Sequence, residues 1–200
     1  MKIPFTSIYL IAFLFILSIS AKAQDNDYVI NNHGDTILCK IKTPAFGGDP
    51  RYQPLNAPKD DYTKISIENI KEYYLSDPQV AFRRIYKDST GKGPNPVFMR
   101  PLERGEISIY LEDVSSSYAG AKGPYTVQSA VWFITKNSDT ASAIKTAVVG
   151  IIKDSRDNRK DVLAELLKDK KGVYDKFIKD DKFKPRDIRN IIHLYNTTPK

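Results

Sequence analysis

The chain has 200 residues, 41% hydrophobic and 28% charged, which is enough for one well-packed domain. After residue 23 no segment is long and apolar enough to span a bilayer as a helix. The single cysteine, Cys39, excludes an intrachain disulfide, so packing alone must hold the fold.

The N-terminus reads as an export signal. Lys2 precedes an apolar run from Ile8 to Ile19, and Ser20-Ala21-Lys22-Ala23 places small residues where a signal peptidase reads. A bilayer span needs about 20 apolar residues, and this run is shorter. Cleavage after Ala23 is therefore expected. Gln24 follows, and a lipoprotein would need Cys there. The expected mature chain is a single globular domain, residues 24–200, in the periplasm, at the outer membrane or outside the cell. Of its +5 formal charge, residues 24–150 contribute none, with 15 basic and 15 acidic side chains; the last 50 residues hold 14 and 9.

Residues 24–150 read as mainly β. Tyr28-Val29-Ile30, the Asn32-His33-Gly34-Asp35 turn and Thr36–Lys42 predict a hairpin. Ile37, Cys39 and Ile41 share its inner face. Pro44, Gly47, Gly48, Pro50, Pro54 and Pro58 predict an irregular stretch over 44–60. Strand patterns follow at Thr63–Ile67, Ile70–Leu75, Ala81–Lys87, Val97–Leu102 and Ile107–Leu111. Ser115–Gly123 reads as a flexible connection, then Tyr125–Thr135 as a long strand. For residues 140–152 a strand to Lys145 and a helix capped by Asp139 both fit, the strand better. Seven to nine short strands imply an antiparallel sheet or a partly open barrel.

Residues 151–200 read as helical. Val162, Leu163, Leu166 and Leu167 form one stripe; Val173, Tyr174, Phe177 and Ile178 a second; Ile188, Ile191, Ile192 and Tyr195 a third, with Pro185 at its first turn. Burying one aliphatic side chain is worth roughly 1.5–3 kcal/mol, so these stripes must dock on each other and on the sheet. The fold class is α+β, a sheet followed by two or three helices.

Tyr28-Val29-Ile30 with Gly34-Asp35-Thr36-Ile37, and the closing segments from Val173 and from Ile188 to Asn196, resemble a group of uncharacterised exported bacterial proteins. Those proteins open with a Gly-Asp-Thr hairpin after the signal peptide and end in short amphipathic helices. The resemblance implies export and this architecture. It implies no activity, cofactor or catalytic residue.

The chemistry-bearing residues form no convincing catalytic constellation. His33, Cys39 and His193 lack the short paired spacing of a zinc site. Ser142-Ala143-Ile144-Lys145 matches the Ser-x-x-Lys of acyl-serine enzymes. On a regular strand, however, Ser142 and Lys145 point to opposite faces. Asp60-Asp61, Glu112-Asp113 and Asp180-Asp181 are adjacent pairs, whereas a glycosidase needs carboxylates facing across a cleft. Gly91-Lys92-Gly93-Pro94 lacks the Ser or Thr and the helix of a phosphate loop. No cofactor is expected.

Interaction surfaces remain. Eleven of the twelve tyrosines lie after residue 23. Tyr73 and Tyr74 are adjacent on a strand, so one must face away from the core, and Tyr118 and Tyr125 border the predicted connection. These four make the candidate surface for a glycan or protein partner, because an aromatic ring offers apolar area and a polar tip. The basic tail, including Lys168, Lys170, Lys171, Lys176 and Lys179, could make weak contact with an anionic membrane. Its interleaved acids read better as a solvated helical face. Nucleic acid is not an expected partner. Asp35-Thr36-Ile37 and Asp139-Thr140-Ala141 resemble O-glycan acceptors of some exported bacterial proteins. The leading expectation is a non-enzymatic envelope binding module. The alternatives are a hydrolase of envelope polymers and a peripheral membrane protein.

Overall fold

A computed structural model of the chain describes residues 26–44, 48–88, 95–120, 123–146 and 155–199; of 114–120, 123–128 and 146 it describes the backbone alone. The expected leader and the Gly91–Pro94 turn lie outside the described residues.

Among the described residues ten strands come first: β1 (Asp27–Asn31), β2 (Thr36–Lys42), β3 (Arg51–Pro54), β4 (Thr63–Lys64), β5 (Ile70–Leu75), β6 (Val80–Lys87), β7 (Asn95–Glu103), β8 (Ile107–Gly120), β9 (Gly123–Lys136) and β10 (Thr140–Thr146). Three helices follow, α1 (Arg156–Leu167), α2 (Lys171–Asp180) and α3 (Pro185–Thr197). The strands form one sheet in the order β10-β9-β8-β7-β6-β5-β1-β2-β3-β4, antiparallel throughout except for a second pairing of β10 with β6. That parallel contact spans only Thr140↔Tyr86 and Ala141↔Lys87, so the sheet curls without closing into a barrel.

The β1–β2 hairpin follows the sequence pattern, with Gly34 taking the positive φ of its turn (91°). Inside the curl of β6–β10 lies one cluster: Ile85, Met99, Tyr110, Val131, Phe133 and Ala141. Val29, Cys39, Ile65, Ile70 and Tyr73 build a second. The third joins sheet to helices, packing Ile107, Ile109, Ile134 and Ile144 against Leu163, Leu167, Val173, Phe177, Ile188 and Tyr195. Ser155 caps α1 by accepting the Asn158 N–H at 3.1 Å.

Several expectations are corrected. The 44–60 stretch contains β3, because Pro54 ends the strand on a stretch paired on one side only, where a missing N–H breaks no ladder. The connection expected at Ser115–Gly123 is strand on both sides: β8 and β9 pair from Ile107↔Lys136 out to Gly120↔Gly123. Local residue preference there yields to the long ladder. The strand preferred for the segment up to Lys145 is borne out, as β10 over Thr140–Thr146. Val162 (41% exposed) and Ile178 (51%) face outward, because each helix presents only a narrow side to its neighbours. Lys170 is buried rather than solvated.

Candidate functional site

The sheet forks. The β6–β7 ladder ends at Arg83↔Met99. On the open side of that pair, Val80–Arg83 stays with β5 and Arg100–Glu103 stays with β8. Between the diverging strands lies a shallow groove of about 650 Å³. Tyr74, Val80 and Phe82 line one wall; Arg100, Pro101 and Arg104 line the other, and Asp113 lines it too.

Strand geometry fixes what the backbone offers there. Tyr86 donates its N–H to the Asp139 carbonyl at 2.8 Å, on the side away from β7. Backbone groups alternate sides along a strand, so the odd-numbered residues of β6 aim at β7. Ala81, beyond the last ladder pair, therefore directs its N–H and C=O into the groove. By the same alternation Pro101 directs its carbonyl there, and it has no N–H to give.

A buried network stiffens the neighbouring sheet face. Glu72 is 4% exposed and accepts two hydrogen bonds from Arg104, at 3.0 and 3.1 Å, and one from the Tyr28 hydroxyl at 3.2 Å. The Tyr28 ring stacks on Tyr74, with centroids 5.1 Å apart and planes 13° from parallel. Burial, then the Glu72 charge, raises the Tyr28 phenol above its usual pKa. Arg104 is thus neutralised. Arg100 is different: its side chain makes no hydrogen bond or ion pair among the described residues, and its Nε is buried without a partner. Asp113 likewise has no partner among the described residues. A second basin, about 370 Å³, adjoins through Arg104 and holds Arg83 paired with Asp139 at 3.2 Å.

Of the four candidate tyrosines, Tyr74 reaches the groove. Tyr73 faces the core, stacked on Phe82 (4.9 Å, 16°) and edge-on to Phe98 (5.1 Å, 77°), and burial pushes its phenol up to about 12. It offers no ring to a ligand. Tyr118 and Tyr125 pair directly across β8 and β9, but their side chains lie outside the described residues. Sequence reasoning missed Arg100, Arg104 and Glu72. The available signal was Pro101 directly after Arg100, since proline inside a strand marks where a ladder stops.

The other constellations stay apart. Among the described residues no three His, Cys, Asp or Glu side chains gather as metal ligands. His193 bonds Glu103 at 3.0 Å, and Cys39 is buried. One expectation about Ser142 and Lys145 is corrected: a bulge between Ala143 and Lys145 places both on one face, opposite Ile134 and Trp132. Lys145 Nζ nevertheless lies over the Phe183 ring (5.7 Å), and Ser142 sits on a strand rather than at a helix start. Glu112 pairs with Lys87, Asp180 with Lys176 and Asp181 with Lys160. Of the displaced carboxyls, Glu68, Asp169 and Asp180 are all lowered by hydrogen bonds, the reverse of what a general acid requires. The tail cations are largely paired, Lys168 with Glu165 and Lys171 with Asp175. Thr36 and Thr140 are both exposed.

Compared with models of known families, with curated proteins and with solved structures, the chain matches none.

Proposed function

We propose that this protein is an exported, non-enzymatic binding module of the bacterial cell envelope, holding part of a protein or glycan partner in the groove at the fork of the sheet. One observation carries the reading: a single groove at the fork is lined by Tyr74 and by Arg100, whose side chain forms no ion pair among the described residues. The stacked Tyr28 ring and the Glu72–Arg104 pair hold the neighbouring sheet face in shape without occupying Arg100. Such preorganisation favours binding. The carboxylates near the groove do not form an acid–base pair: Glu72 is committed to Arg104, and Asp113 stands alone.

The test is binding of the mature chain to arrays of envelope glycans and peptides, repeated with Tyr74→Ala and Arg100→Gln. Affinity that falls about tenfold or more in both variants, with circular dichroism unchanged, supports the reading. Turnover of an envelope polymer that a point substitution in the groove abolishes would overturn it in favour of a hydrolase.

A further inference from the structure

We infer that the groove's occupant is an extended polypeptide segment, lying as an added strand beside Ala81 with a carboxylate against Arg100. This rests on the binding reading above and names its ligand class. Three features converge. First, the fork leaves strand edges unpaired: Ala81 presents one N–H and one C=O, and Pro101 a carbonyl facing them. A backbone donor and acceptor on one residue is what an incoming strand pairs with, and proteins recognise extended peptides in this way. Sugar hydroxyls have no such fixed repeat. Pro101 also keeps the fork open, because without an N–H it cannot continue the β6–β7 ladder.

Second, a strand in the groove would send alternate side chains to the two sheet faces. The cross-strand registers put Phe82 and Arg100 on one face, and Tyr74 with Ala81 and Pro101 on the other. Each face therefore offers a surface for one apolar or aromatic-seeking side chain. Third, Arg100 lines the groove and its guanidinium forms no ion pair among the described residues. A carboxylate satisfies that group, bidentate if geometry allows. Asp113, lining the same groove, discourages a second acid and favours a basic residue elsewhere in the segment.

The experiment selects a random heptapeptide display library on the mature protein and measures enriched peptides by fluorescence polarisation, alongside uronic-acid oligosaccharides. The expected result is a consensus with one Asp or Glu. Arg100→Gln should weaken binding about tenfold or more, and Arg100→Glu should switch the selected residue to Lys or Arg. N-methylating the peptide amide that pairs with Ala81 should abolish binding, a readout independent of how any protein variant folds. Tyr74- and Arg100-dependent binding of the oligosaccharides with no peptide consensus would overturn this inference and leave the binding module standing. If neither probe bound in a Tyr74- and Arg100-dependent way, both would fall.

Discussion

Gly105 and Asn196 should behave as a coupled pair. Asn196, near the end of α3, grips the backbone of Ile107: it accepts the Ile107 N–H at 3.0 Å and donates to the Ile107 carbonyl at 2.8 Å. The turn before β8 lies so close that a Cβ on Gly105 would fall 2.6 Å from Asn196 Oδ1 and nearer still to Cγ and Nδ2. Gly105→Ala must therefore displace the amide and break both bonds. Each such bond is worth about 1 kcal/mol net, and leaving its partners unsatisfied adds to the loss. Gly105→Ala and Asn196→Ala are each expected to cost about 2–3 kcal/mol. Both act on the same two bonds, so the double variant should cost little more than either alone. Urea unfolding of the four proteins gives the coupling directly. Costs that add within about 0.5 kcal/mol would refute the reasoning.

Lys170 donates to the Tyr195 carbonyl at 2.7 Å and to that of Thr198 at 2.5 Å, with its Nζ 4.4 Å from the Tyr195 ring centroid. Lys170→Met should lower stability by about 2 kcal/mol, read as the guanidinium midpoint; an unchanged midpoint contradicts the assigned role. Burial, helped by Asp27, pushes the Cys39 thiol up to about 12. The folded protein should resist iodoacetamide at pH 8 and react once unfolded, as followed by mass spectrometry. The Lys136 hydrogen bond, helped by the Tyr195 hydroxyl, holds the Asp169 carboxyl below its usual range. A depressed folded value means its stabilisation is full above the unfolded carboxylate pKa of about 3.9 and is lost as pH falls through the lower folded value. Asp169→Asn should therefore flatten the acid limb of the stability curve, measured by thermal melts from pH 7 down to about 2.

Local pattern made much of the fold legible. The alternation of Ile37, Cys39 and Ile41 matches the buried side of β2, and Ile188, Ile191, Ile192 and Tyr195 are all buried on α3. Failures arose where a long-range ladder outweighed local preference. Ser115-Ser116-Ser117 carries little strand preference, yet it pairs residue by residue with Thr126–Gln128. The bulge after Ala143 turned Lys145 to the opposite face from that expected, because one added residue reverses a two-residue period. Of the groove, only Tyr74 was visible beforehand. No sequence pattern set Arg100 and Arg104 apart, since their roles depend on what Glu72 binds and on where β6 and β7 part.

Periodicity was readable along the chain: the inward faces of β2 and α3, the turn of the first hairpin, and a lone cysteine that excludes an intrachain disulfide. Those properties depend on neighbours along the chain. Packing in three dimensions set which strands remain partnered, that β10 reaches back to β6, and that Glu72 goes to Arg104 while Arg100 forms no ion pair among the described residues. These outcomes arise between residues far apart in the chain, where the competition for hydrogen bonds and counter-charges is settled only once the strands have chosen their partners.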